Sequence, residues 1–168
     1  MSDKNTMLKR IIQRAIGLSL IIAGSFVLGG INNQAYAQSA IFQNVSIGRN
    51  FNPDPLVVNG VSGGSSDAKK IAGTNGTATG PCTGFIDENP NHTIELKSKF
   101  DYLKLTVDSV EDTTLVIVGP GGAWCNDEFN GSKNPGIIGE WLPGNYKIWI
   151  GSYNKAKYLP YTLKITTK

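Results

Sequence analysis

A short acidic run follows a glycine-rich turn in the sequence VIVGPGGAWCNDEF, residues 116–129. Calcium prefers oxygen ligands from carboxylates, amides and backbone carbonyls, often on loops. The run and the acidic residue before the preceding apolar stretch could supply such ligands if the chain folds back on itself. The alternative is a turn in which Asn and Asp bond to the backbone. The candidate calcium ligands are Asp112, Asn126, Asp127 and Glu128.

The stretch GVSGG at residues 60–64 matches the G-x-S-x-G pattern of serine hydrolases, with Ser62 as the nucleophile. That chemistry needs a strand, a sharp turn and a helix on a large parallel sheet. The chain is too short and too rich in strand patterns for such a sheet, so we predict no enzymatic activity. His92 is the only histidine, and we expect it to begin a strand rather than to bind a metal, because zinc sites use several Cys or His ligands.

Five aromatic residues lie in predicted loops or on the outward side of predicted strands. A flat aromatic surface can stack on sugar rings or pack against a protein partner. Alternatively, some of these rings cap the ends of the core. The candidate ligand surface consists of Trp124, Trp141, Trp149, Tyr153 and Tyr158, and a carbohydrate-binding module is one alternative function.

The elements that must position these residues are short strands. Runs of seven to nine residues alternate apolar and polar side chains between Gly, Pro, Asn and Asp clusters, which is typical of an antiparallel sandwich or barrel. Four such runs lie at residues 92–98, 101–109, 145–153 and 161–167. The run at 113–119 is nearly all apolar, which suits a central strand, and a first strand is expected at 40–48. Their inward residues are predicted to be Ile94, Leu96, Leu103, Leu105, Val107, Tyr146, Ile148, Ile150, Tyr161, Leu163 and Ile165.

One region departs from this pattern. Residues 59–81 are rich in Gly, Ser, Thr and Asn and poor in apolar residues. They predict a long surface loop, either mobile or held by Cys82 at its end, with at most one short helical turn near residues 66–71. Cys82 and Cys125 are the only cysteines, and an exported pair usually forms a disulfide, which is the prediction here.

The first part of the chain has the features of a secretory signal peptide. Lys4, Lys9, Arg10 and Arg14 precede an apolar stretch at residues 15–31, and an A-x-A site ends at Ala37. Cleavage there gives a periplasmic or secreted protein that begins at Gln38, without a stable membrane span. The alternative is an uncleaved anchor. Four of the sixteen Lys and Arg residues and one of the thirteen acidic residues precede Gln38, so the mature chain is near neutral and nothing favours nucleic acid as a partner.

Three stretches together resemble the bacterial pre-peptidase C-terminal domain. They are DTTLVIVGPGGAWCNDE (112–128), NPGIIGEWLPGNYKIWIGSY (134–153) and PYTLKIT (160–166). The resemblance implies a jelly-roll β-sandwich that serves as a non-catalytic accessory to secreted proteases, in some cases with calcium. It implies a calcium or polar-turn role for Asp112, Asn126 and Asp127. Glu128 stands where Asp is more usual.

These observations predict an exported all-β sandwich of jelly-roll type with about eight strands. The domain organisation would be a signal peptide at 1–37, a first strand and loop at 38–81, and the sandwich at 82–168, with 38–168 folding as one unit. The predicted function is a stand-alone binding or accessory module, with calcium as a candidate stabiliser. Its partner would be a protein or polysaccharide of the envelope or extracellular matrix. The alternative is a peptidase-associated or serine-hydrolase-like secreted protein.

We predict that the exported protein begins at Gln38, because Ala35 and Ala37 fit the small-residue positions that signal peptidase requires. Mass spectrometry of protein recovered from the envelope of the producing cell measures the mature N-terminus. Recovery of an intact segment from Met1 onward in the membrane fraction would contradict this prediction.

Overall fold

The predicted strands form two facing sheets in the computed structural model, which describes residues 41–168. The predicted signal peptide lies outside the described residues. Eight of the strands have five or more residues, in agreement with the predicted number. The described strands are β1 (Val45–Ile47), β2 (Leu56–Ser62), β3 (Ser66–Asp67), β4 (Gly76–Thr77), β5 (Gly80–Pro81), β6 (Phe85–Ile86), β7 (His92–Leu96), β8 (Phe100–Ser109), β9 (Thr113–Gly119), β10 (Gly122–Asn126), β11 (Gly136–Trp141), β12 (Gly144–Ser152) and β13 (Leu159–Thr166), and the one helix among these residues is α1 (Ala68–Ala72).

The smaller sheet has the order β11-β8-β13-β2. In the larger sheet β12 is central, with β7 and then β1 on one side and β9 and then β10 on the other. The end of β12 also pairs with β6, which carries β3. The strands β4 and β5 form a separate hairpin. All of these pairings are antiparallel except β1 beside β7, so the all-β sandwich prediction is confirmed.

The main core lies between the two sheets, and the alternation of the sequence predicts which side chains enter it. All eleven residues predicted to point inward belong to one buried apolar cluster. Period-two alternation works here because the two faces of a strand differ in burial wherever one face meets a core. The all-β pattern and the inner faces are therefore both read correctly from the sequence.

The outer face of the larger sheet is covered as well, which the alternation of the strands does not predict. Residues 59–62 belong to β2, and residues 66–86 form a covering segment in which β3 and β6 extend the larger sheet while α1 and the β4–β5 hairpin make a second layer. Ala68 of α1 packs with Ile86, Val116 and Trp149 in a second buried cluster. The expectation of a surface loop at 59–81 is therefore wrong, whereas the short helical turn near residues 66–71 is confirmed.

The predicted disulfide joins this second layer to the sheet. Cys82 and Cys125 are bonded with their Cα atoms 5.1 Å apart, and both are buried. Beside them, the Thr77 hydroxyl accepts from the Cys125 backbone N–H at 3.0 Å, and the Thr79 hydroxyl donates to the Cys125 carbonyl at 2.8 Å. The β4–β5 hairpin thus satisfies backbone groups at the outer edge of β10, which would otherwise be an open sheet edge.

Two consecutive buried polar side chains connect the sheets at the start of β7. The Asn91 amide donates to the Val61 carbonyl at 3.2 Å and accepts from the Ile150 N–H at 2.8 Å. His92 is 1% exposed, with Nδ1 at 2.8 Å from the Gln43 carbonyl and Nε2 at 2.7 Å from the Tyr161 hydroxyl. A carbonyl only accepts, so Nδ1 carries the proton and Nε2 accepts from Tyr161. His92 begins a strand, as predicted.

We predict that the free energy of unfolding decreases as the pH falls from about 6.5 to 5. Burial lowers the pKa of His92 below its ordinary value of 6.5, so below that value the unfolded chain binds a proton that the folded chain excludes. The slope should reach at most about 1.4 kcal/mol per pH unit. Denaturant unfolding over this range measures it, with His92→Gln as the variant that should lack the slope. A stability that is constant over this range in the unmutated protein would contradict the prediction.

Candidate functional site

The β9–β10 hairpin brings the candidate acidic residues together. Its turn is the predicted GPGG reversal, with Pro120 and Gly121 between the paired residues Gly119 and Gly122. Gly121 has a φ of 101°, which favours glycine. At the far end of the hairpin Asn126 pairs with Leu115. The chain therefore folds back, and Asp127 and Glu128 leave β10 at the end where Asp112 precedes β9.

The resulting acidic edge consists of Asp112, Asp127 and Glu128. Burial raises the pKa of Asp112 above its ordinary value, and the charges of Asp127 and Glu128 raise it further, while Lys133 partly offsets them. The Asp127 carboxylate accepts from the Thr83 hydroxyl at 2.9 Å. Since Thr83 follows Cys82 directly, the disulfide positions this contact. The edge is thus a group of like charges in which one carboxylate is partly desolvated.

Asn126 is a structural residue and not part of this charged edge. It is 8% exposed, its amide donates to the Thr79 carbonyl at 2.8 Å, and its carbonyl oxygen accepts from the Gly136 N–H at 3.0 Å. The amide nitrogen and the carbonyl oxygen of this side chain therefore both bond to backbone groups, as expected for a polar turn and not for a calcium ligand. Within residues 41–168 no three His, Cys, Asp or Glu side chains are arranged to hold a metal ion.

An open groove lies beside the acidic edge, at the rim of the second layer. It has a volume of about 510 Å3, and Thr83, Phe85 and Tyr153 are among its lining residues. The Tyr153 N–H donates to the Asp112 carbonyl at 3.2 Å, and the Tyr153 side chain is 52% exposed. Tyr153 is therefore the candidate aromatic whose backbone is bonded to Asp112 and whose residue also lines the neighbouring groove.

The five candidate aromatics do not form one surface. Trp141 and Trp149 are buried, so the expectation that they face solvent is wrong. The Trp141 indole donates to the Leu103 carbonyl at 3.0 Å and packs against the half-buried Trp124, with ring centroids 5.5 Å apart. These two rings close one end of the main core, which agrees with the alternative that some of the aromatic residues cap the core. Trp149 packs under the second layer, and Tyr158 is exposed.

The geometry around Ser62 is structural. Its side chain is fully buried, and its hydroxyl donates to the Leu159 carbonyl at 3.1 Å. His92 has both ring nitrogens engaged with Gln43 and Tyr161, so it makes no contact with Ser62. The residues of the G-x-S-x-G match end a strand that pairs with β13, and no nucleophile and base are brought together there.

Most carboxylates of the described residues are bonded to another group of the protein, and those that are not lie at two places on the surface. Residues 41–168 contain twelve Asp and Glu residues, and eight of their side chains make a hydrogen bond or ion pair within this part of the chain. The four that make neither are Asp112 and Glu128 at the acidic edge and Asp87 and Glu88 in the loop before β7. The sequence run DENPN at residues 87–91 predicts only a turn, so the second pair was missed.

No protein-family model matches the chain. An uncharacterized protein of Synechococcus elongatus is 27% identical over 101 residues, which is 58% of this chain and 74% of that protein. The pre-peptidase C-terminal domain of a Bacillus anthracis collagenase has a TM-score of 0.44 at 12% identity, over 74% of this chain and 95% of that domain. The Aeromonas hydrophila periplasmic inhibitor of g-type lysozyme has a TM-score of 0.40 at 12% identity, over 75% and 98%.

We predict that Asp112→Asn stabilises the protein at neutral pH. A carboxyl whose pKa is raised on folding favours the folded state below its unfolded pKa and loses this contribution as the pH rises through the folded pKa. Water screens this partly buried group, so the gain should be at most about 0.5 kcal/mol. Denaturant unfolding at pH 7 measures it. The control is Asp101→Asn, which should destabilise because Lys99 holds the pKa of Asp101 below its usual range. Destabilisation by Asp112→Asn at pH 7 would contradict the prediction.

Proposed function

We propose that this chain is an extracytoplasmic, non-catalytic binding module that docks a protein of the envelope or the extracellular space through its acidic edge. The observation that carries the proposal is that the charges of Asp127 and Glu128 add to the rise that burial causes in the pKa of Asp112, while no side chain bonds to Asp112 or Glu128 within residues 41–168. Carboxylates in this arrangement lose repulsion when a cationic group binds between them.

The location and the chemistry of the described residues support this proposal. A buried disulfide favours an oxidising compartment. No helix among residues 41–168 has the length and apolar character needed to cross a membrane. The burial of the Ser62 hydroxyl speaks against the serine-hydrolase alternative. A peptidase-associated role stays compatible with a docking module, because it concerns the identity of the partner.

The partner would present a basic side chain to the edge, with Tyr153 beside it for apolar contact. Exposed aromatic rings that flank a charged contact exclude water from it and thereby strengthen it. Calcium is the other cation that would relieve the repulsion. Since the described side chains form no ready metal cluster, calcium would take most of its ligands from backbone carbonyls and water, so its affinity would be low.

The double variant Asp112→Asn/Glu128→Gln should lose the partner. We predict that the mature protein captures it from a detergent extract of its own envelope, and that retention decreases as salt rises, because salt screens exposed charges. Capture is repeated in excess chelator and in millimolar calcium, and melting curves are recorded in both buffers. Retention in calcium alone, together with a higher melting temperature, would identify calcium as the bridging ion.

The matched control is Asp87→Asn/Glu88→Gln, which removes the same two charges from the other pair of free carboxylates. It should retain the partner, so that a loss in the first variant reports the acidic edge and not the net charge. Equal capture by the unmutated protein and both variants would contradict docking through the acidic edge. Superimposed melting curves in calcium and chelator would exclude the calcium contribution.

A further inference from the structure

A second groove lies between the start of the described chain and the loop before β7. It has a volume of about 480 Å3 and is lined by Phe42, Ser65, Asp87, Glu88, Asn89, Pro90 and Asn91. The side chains of Phe42, Ser65, Glu88 and Asn89 are exposed, whereas Asn91 is 5% exposed and bonded to both sheets. The groove therefore has a fixed base and a polar rim with one aromatic ring.

Phe42 is held at this groove by several contacts. Its N–H donates to the Asn59 carbonyl at 3.0 Å, and its ring centroid is 6.3 Å from that of His92. The next residue, Gln43, has its carbonyl bonded to His92. Phe42 has a φ of 61°, which is unusual for a bulky side chain. Its ring is nevertheless 43% exposed, so these contacts hold an apolar surface where water reaches it.

The polar rim is free of intramolecular partners. Within residues 41–168 the side chains of Ser65, Asp87, Glu88 and Asn89 make no hydrogen bond or ion pair. Asp87 and Glu88 offer carboxylate oxygens, the Ser65 hydroxyl can donate or accept, and the Asn89 amide does both. An aromatic ring surrounded by uncommitted donors and acceptors suits a ligand that has an apolar face and hydroxyl groups around its edge.

We infer that this groove binds a saccharide of neutral or positive charge. One pyranose ring stacks its C–H face on Phe42, and its hydroxyls bond to Asp87, Glu88 and Asn89. Hydrogen bonds to ionised acceptors are the stronger kind, and the two carboxylates repel an acidic sugar. A lone ammonium group would use only the acceptors and leave the donors of Ser65 and Asn89 without a partner, whereas each sugar hydroxyl both donates and accepts. The inference concerns a separate place from the acidic edge and does not depend on it.

Titration calorimetry of the protein comprising residues 38–168 tests the inference with four probes. They are triacetylchitotriose, its deacetylated cationic counterpart, trigalacturonic acid and tetralysine. The neutral and cationic saccharides should bind, whereas trigalacturonic acid and tetralysine should not. Phe42→Ala should weaken saccharide binding about tenfold through the lost stacking. Asn89→Ala should weaken saccharide binding as well. The Asn89 side chain is exposed and makes no hydrogen bond or ion pair within residues 41–168, so this substitution should not disturb folding. It therefore tests the inference even if Phe42→Ala fails to fold.

The control variant is Tyr102→Ala, which removes an aromatic ring that is 41% exposed on β8 and is not among the residues of the groove. It should bind both saccharides like the unmutated protein. Absence of saccharide binding, or binding that Phe42→Ala and Asn89→Ala leave unchanged, would overturn the inference. Binding of tetralysine in place of the saccharides would also overturn it and identify the groove as a site for a basic peptide.

Discussion

The larger sheet is buried on both faces at β9 and β12, and the arrangement of the molecule depends on this constraint. Leu115, Ile117 and Ile148 face the main core, while Val116 and Trp149 are equally buried on the opposite side. A sheet with two apolar faces needs a cover on each. The smaller sheet supplies one, and the segment at 66–86 supplies the other. Since that segment contains few apolar residues, the Cys82–Cys125 bond, worth up to about 4 kcal/mol by loop closure, holds it against the sheet.

The same cover contacts the charged groups that the β9–β10 hairpin brings together. Its Thr83 hydroxyl donates to Asp127, and the Tyr153 N–H after β12 donates to the Asp112 carbonyl. The acidic edge therefore lies where the cover meets the open end of this hairpin. The segment needs close backbone contact there: a Cβ at Gly84 would lie 2.7 Å from the Thr114 Cγ2. The glycines that resemble loop composition thus permit tight packing.

The sequence predicts the inner faces of β7, β8, β12 and β13 because alternation records which side of a strand meets a core. It fails at Trp149 because alternation does not record whether the other side is covered too. The composition of the Gly- and Ser-rich run at 59–81 predicts a loop wrongly for a related reason, since Ala68 is small and yet is fully buried within this segment. The Cys82–Cys125 pairing and the GPGG turn were predictable from two cysteines and local backbone preference. The groove at Phe42 was not, because it joins residues more than forty positions apart.

The free carboxylates are the feature that folding alone explains least. Eight acidic side chains of the described residues have a hydrogen bond or an ion pair, as expected where neighbouring groups settle into favourable contacts. Asp112 instead stands where its charge is disfavoured, and Asp87 and Glu88 border a groove that also exposes the apolar ring of Phe42. Carboxylates without a bonding partner in the described residues, at the acidic edge and at the groove of Phe42, are better explained by what they bind than by the fold they belong to. The two places differ in chemistry, one being a concentration of negative charge and the other a mixed polar and aromatic rim, so a single ligand would not suit both.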